Sequence, residues 1–151
     1  MRVAIGTDHA GFSLKTIVIE TVRLCGHEGL DLGIYEEVKA DYPDLAQKVG
    51  EAINSGSADR GILLCGSGIG ACIAANKISG IYASVCHDTY SAHQGVEHDG
   101  MNVICLGGRI IGTDLAIDIV KTFLSARFIE SENYIRRVNK IKAIESKNKA
   151  S

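Results

Sequence analysis

The chain has 151 residues, 46% apolar and 23% charged, a composition that suits one soluble domain with a substantial core. Its formal net charge is −2, which excludes the basic surface that a nucleic-acid or membrane-surface binder builds. No apolar run approaches the ~20 residues that span a bilayer, and the opening Met1-Arg2-Val3-Ala4-Ile5-Gly6 lacks signal-peptide length, so a cytoplasmic protein is expected.

In chain order, strand candidates fall at 2–7, 29–33, 61–65, 82–86 and 102–107. They are rich in Val, Ile and Leu, as parallel strands covered on both faces are. Amphipathic helices fill the intervals. Leu14, Ile17, Val18, Val22 and Cys25 share one face of the first; Leu45, Ala46, Val49 and Ile53 share one face of the second, which starts near Pro43. Shorter helices are predicted over 68–75 and 90–97. The stretch 115–124 is apolar almost all round, which predicts cover from a partner subunit as well as from its own sheet. A last helix over 134–145 repeats Ile135, Val138, Ile141 and Ile144, and the polar tail beyond it is expected to fray. Alternating β and α units predict a single doubly wound, Rossmann-like α/β domain over 1–151, three-layered, with a five-stranded parallel sheet and a C-terminal helix.

Ligands of such sheets bind outside the carboxyl ends of the strands, so the residues at each strand exit are informative. Asp8 and His9 come after the first strand; Cys65-Gly66-Ser67-Gly68-Ile69-Gly70 closes the third; His87 and Asp88 come after the fourth, and Gly107-Gly108-Arg109 ends the fifth. Alternate glycines at a strand-to-helix turn let backbone N–H groups face an anion, either a phosphate or the oxyanion of an enediolate. A tight turn that needs glycine for its backbone alone explains the loop equally well. It is no dinucleotide fingerprint, because the spacing is not GxGxxG and the loop comes after the third strand.

The five cysteines, Cys25, Cys65, Cys72, Cys86 and Cys105, form no CxxC and read as reduced thiols. Cys25, Cys72, Cys86 and Cys105 read as packing residues. Cys65 differs, since it ends a strand where the partial charge of the next helix start favours an anionic sulfur. His87, His93 and His98 with Asp88 and Asp99 lack the i, i+4 pair of a helical zinc motif, so no metal is expected. Arg136 reads as a solvated helix residue.

Taken together, these motifs resemble the type B ribose-5-phosphate isomerase family, which includes galactose-6-phosphate and allose-6-phosphate isomerases. The resemblance spans about residues 2–145 and rests on Gly6-Thr7-Asp8-His9, Asp41-Tyr42-Pro43, Cys65 to Gly70, Ala74-Ala75-Asn76-Lys77, His98 with Met101-Asn102-Val103, and Gly108-Arg109. It implies aldose–ketose isomerisation in the pentose phosphate pathway, without metal or organic cofactor, in a homodimer or homotetramer with shared active sites. Cys65 would be the base moving a proton between C2 and C1, and Ser67 would bond the reacting oxygens. The amides of Gly66, Gly68 and Gly70 would hold the enediolate, and Asp8 and His98 would assist ring opening. His9, Arg109 and Arg137 would bind the phosphate, with Tyr42 and Asp99 also at the substrate; His98 and the arginines would come from the partner. A subgroup with a glutamate base has it where this chain has Ala71.

Two positions depart from the family pattern. Asn133 stands for a phosphate-binding arginine in Ser131-Glu132-Asn133-Tyr134-Ile135-Arg136-Arg137, and Asp99 replaces an asparagine beside His98. Both leave room for a six-carbon or rarer sugar phosphate. A non-catalytic nucleotide or phosphometabolite module would need no thiol at the strand end. A redox or phosphatase reading lacks a resolving CxxC and an arginine in the loop.

Overall fold

The structure, a computed structural model, describes residues 1–149. Five parallel strands alternate with helices. They run β1 (Arg2–Thr7), α1 (Lys15–Leu24, entered through a short turn at Phe12–Leu14), β2 (Glu28–Asp31), α2 (Tyr42–Asn54) and β3 (Arg60–Cys65). Then come α3 (Ile69–Ala75), β4 (Ala83–Val85), α4 (Thr89–Asp99), β5 (Val103–Gly107), α5 (Thr113–Ser125) and α6 (Glu132–Lys149). The sheet order is β2-β1-β3-β5-β4, all pairs parallel. The expected three-layer, doubly wound architecture with a C-terminal helix is what the chain forms.

Side chains alternate across a strand, so each inner strand feeds two cores. Val3, Ile5, Ile62, Leu64, Ile104 and Leu106 pack with α1, α4 and α5. Ala4, Leu63, Cys65, Val103 and Cys105 pack with α2 and α3. Cys65 therefore hangs from the sheet on the α2–α3 side, at the end of β3.

The structure corrects two details, the extent of β2 and the end of the last helix. The edge strand β2 ends at Asp31; Leu32 and Ile34 still donate to Ile5 and Thr7 of β1, but Gly33 turns at φ +101 and breaks the regular ladder. Ala116, Ile119, Val120, Phe123 and Leu124 of α5 are buried within the chain, whereas Leu115 on the same helix is exposed. The tail expected to fray remains helical to Lys149. Glu145 fastens it, accepting from the Gly80 amide at 2.7 Å and from the Tyr82 hydroxyl at 3.2 Å, and Lys147 and Lys149 complement the helix C-terminus. Exposed apolar side chains include Leu24 on α1, Ile69 and Ile73 on α3, Ile110 after β5, Leu115 on α5, and Ile135, Ile141 and Ile144 on α6.

Candidate active site

β1 and β3 are adjacent, but the chain leaves them in opposite directions: β1 leads to β2 on one side, and β3 leads past β5 to β4 on the other. Such a switch point opens a crevice at the carboxyl edge. A cavity of about 380 Å³ lies there, lined by Asp8, His9, Tyr42, Cys65, Gly66, Ser67, Gly70, Arg109 and others. Eight of the positions predicted from sequence thus meet in one place.

The Cys65 loop is shaped by its glycines. Gly68 turns at φ +82, a conformation that L side chains avoid, and this brings its amide to 3.1 Å from Cys65 Sγ as donor. A Cβ on Gly70 would come within 2.6 Å of the Tyr42 ring, so the absence of a side chain lets that ring close the cavity wall. Ser67 accepts from the Ile69 amide at 3.3 Å. The Gly108 and Arg109 amides donate to Cys65 O and Gly66 O at 2.8 and 3.0 Å, tying the β5 exit to the loop. Asp8 is buried, and its Oδ1 accepts from Ala10 and Gly11 at 2.9 and 3.0 Å, which shapes the turn after β1. His9 accepts at Nδ1 from the Ala40 amide at 3.4 Å. The groups able to meet an anion here are loop amides, His9 and Arg109.

A thiol of low pKa lies outside this cavity. Cys72, half-buried on α3, is lowered to about 7, chiefly because the Cys105 thiol donates to it, against the opposing effect of burial. Cys105 is held well above the ordinary thiol range, first by that same hydrogen bond and then by burial. Cys72 turns toward the Ala83 carbonyl and Asn76, away from the cavity, so position rather than ease of ionisation nominates Cys65 as the base. The remaining His and Asp side chains work separately. His87 accepts at Nε2 from the Gly107 amide at 2.9 Å, with a pKa lowered by burial despite Asp88. Asp88 caps α4 by accepting from Ser91 at 2.6 Å, and His93 pairs with Glu97 at 2.9 Å.

Three predicted residues are not at the rim. α4 starts at the carboxyl end of β4 and runs back about 16 Å at 1.5 Å per residue, which puts His98 and Asp99 at the opposite edge, just before β5. Tyr134, in the first turn of α6, stacks on His98 with ring centroids 4.1 Å apart and planes 15° off parallel. Arg137 lies one turn beyond Tyr134 on the same helix face. Arg136 lines a different groove with Glu132, Ile135, Asn139 and Lys140. Sequence reasoning missed Gln94, whose Nε2 lies 3.0 Å from His98 Nδ1; the i, i+4 spacing on a helix was the available signal.

The chain is similar to known proteins along almost its whole length. Residues 3–141 match the Ribose/Galactose Isomerase family model. Ribose-5-phosphate isomerase B of Escherichia coli is 40% identical over 146 residues, 97% of each chain. The solved structure of Clostridium thermocellum ribose-5-phosphate isomerase B superposes with a TM-score of 0.94 at 44% identity, covering 98% of this chain and 99% of that one. That of the Mycoplasma genitalium enzyme, with bound ribulose-5-phosphate, gives 0.89 at 37% identity over 96% of both chains. The chain belongs to the ribose/galactose isomerase family.

Proposed function

We propose that this isomerase interconverts D-ribose 5-phosphate and D-ribulose 5-phosphate through a cis-enediolate, in the cytoplasm, as a step of pentose phosphate metabolism. The observation that carries the reading is the buried Cys65 sulfur at the β1–β3 switch point, facing a sugar-sized cavity ringed by amides, hydroxyls and cations. The Cys65 thiolate takes the C2 proton of the open aldose, and the electron pair spreads through C1 onto O1. The amides of Gly66 and Gly70 steady that negative charge without reorganising, and the Gly68 amide, bonded to Sγ, steadies the thiolate. Ser67, whose oxygen accepts from Ile69, keeps its O–H for a sugar oxygen. The thiol then returns its proton to C1 while the O2 proton passes to O1, so no redox or metal partner is needed for the balance.

Ribose 5-phosphate arrives as a closed furanose. Asp8 at the rim, and His98 from a second copy, assist its opening. A second copy is required because His98 and Arg137 occupy the sheet edge opposite to Cys65. A homodimer or homotetramer brings a partner's corner to each rim, where Arg137 joins His9 and Arg109 on the phosphate and Asp99 and Tyr42 border the sugar. The half-exposed Ile135, Ile141 and Ile144 of α6 give that copy an apolar surface to meet.

The test is conversion of D-ribose 5-phosphate to ketose by EDTA-treated protein, with Cys65→Ala in parallel. We expect wild-type turnover and a loss of ~10²–10⁴-fold in the variant, the contribution of one general base. Retained activity in the variant would remove Cys65 from the mechanism. Asn133 and Asp99, at positions where the resemblance expects arginine and asparagine, favour one second reading. The phosphate end of the site would be relaxed toward a six-carbon substrate, seen as a higher kcat/KM for allose 6-phosphate or galactose 6-phosphate in the same assay.

A further inference from the structure

The α4–α6 corner holds a histidine whose two ring nitrogens are made inequivalent. Gln94 Nε2 lies 3.0 Å from His98 Nδ1 and 3.2 Å from Asp99 Oδ2. A carboxylate offers only acceptors, so the group facing Asp99 is the amide NH₂ and not the amide oxygen. One hydrogen of that NH₂ goes to Asp99 and the other to Nδ1, which must accept it with a lone pair. A neutral imidazole accepting at Nδ1 carries its proton on Nε2. Tyr134 covers one face of the ring at 4.1 Å, and its amide donates to Ser131 Oγ at 3.4 Å, so the stacking partner is itself held.

We propose that Gln94, oriented by Asp99, is a positioning residue that fixes neutral His98 in the Nε2–H form, the form that offers a hydrogen bond to the ring oxygen of a closed aldose phosphate. The inference rests on the ring-opening role given to His98 above. In that step the C1–O4 bond breaks and its electron pair moves to O4, where the Nε2–H group steadies the developing charge by a hydrogen bond and keeps its proton. The anomeric hydroxyl releases its proton as C1=O1 forms, and water passes that proton to O4. The arrangement also accounts for an acid at position 99, since Asp99 aims at Gln94 and sets the direction of its amide.

The test separates the tautomer from the role. Long-range ¹H–¹⁵N spectra of full-length protein with ¹⁵N-histidine, recorded at alkaline pH and assigned by loss of a signal in His98→Asn, report which nitrogen is protonated. Nε2–H is expected in the wild type, a mixture in Gln94→Leu, and Nδ1–H in Gln94→Glu, whose carboxylate accepts from Nδ1. Rates are read twice. Conversion of D-ribose 5-phosphate needs ring opening. Exchange of the C1 proton of D-ribulose 5-phosphate with deuterium oxide does not, because its C5 oxygen carries the phosphate and no furanose can close. Gln94→Glu should slow the first within the ~10²–10³-fold range of one lost oxyanion donor, Gln94→Leu less, and both should leave the exchange within ~2-fold. Nδ1–H in the wild type, an unmoved tautomer in Gln94→Leu, or equal losses in both reactions would overturn the proposal. A reversed tautomer with an unchanged forward rate would instead overturn the ring-opening role of His98.

Discussion

The rim pocket and the α4–α6 corner divide the polar chemistry of this chain between opposite edges of one sheet. The rim has the thiol, the amide-lined loop, Asp8, His9 and Arg109, all at the carboxyl ends of β1, β3 and β5. The corner has His98 under Tyr134, with Gln94 and Asp99 below it and Arg137 one helical turn away. Glycine turns and backbone hydrogen bonds build the rim; the corner is assembled from side chains of α4 and α6. On the proposed mechanism one sheet edge supplies the base and its anion hole, and the opposite edge of a second copy supplies the ring-opening histidine and the second cation.

The largest effect expected of that division is complementation between inactive subunits. Cys65→Ala and His98→Asn chains, each deficient alone, should recover about a quarter of wild-type activity when randomly reassorted, since half the dimers are mixed and one site in each is intact. No recovery on verified mixing would put both groups in one subunit's site. Next comes the phosphate. Arg109→Ala at the rim and Arg137→Ala at the corner should each raise KM more than they lower kcat, by ~10- to 100-fold for a lost charge-assisted contact of about 1.5–3 kcal/mol. An effect from Arg109 alone would leave the corner without a role in binding.

Cys65 and Cys72, both on the α2–α3 side of the sheet, sharpen the comparison. Cys72, lowered to about 7, should be alkylated rapidly near neutral pH. Cys72→Ser should remove that fast reaction while turnover stays within ~2-fold, because this sulfur faces Ala83 and Asn76. The smallest expected effect is at His87, whose pKa is lowered by burial and whose Nε2 accepts from Gly107. The unfolded chain binds this proton more tightly, so stability falls as pH drops below about 6.5, the unperturbed imidazole value. His87→Gln, which keeps an acceptor for Gly107, should flatten the decline of Tm with acid.

Most of the rim was legible in the sequence because parallel strands announce themselves as aliphatic runs and their carboxyl ends are the place to look. Asp8, Cys65, Ser67 and Arg109 each lie within a residue or two of a strand end. Tyr42 and Gly70 show as a pair only in space, where the ring needs the missing Cβ. The corner was half legible. His98 stood out, but Gln94 is an ordinary polar helix residue until the direction of its amide is known. Lys15 was illegible for the same reason. It sits beside the apolar face of α1, yet it is buried, paired with Asp31 at 2.9 Å and lying 4.7 Å from the Tyr35 ring centre. Periodicity reports which positions face inward; it does not report a charge that finds its partner there.

The clamp at Glu145 has a mechanical meaning for α6. At 18 residues the helix is about 27 Å long, and it is gripped near each end, by His98 against Tyr134 and by Gly80 and Tyr82 against Glu145. Only Val138 is buried between those grips. A rod held at two points transmits a displacement that a rod held at one absorbs, so slack at Glu145 tilts the far end, where Tyr134 and Arg137 are carried.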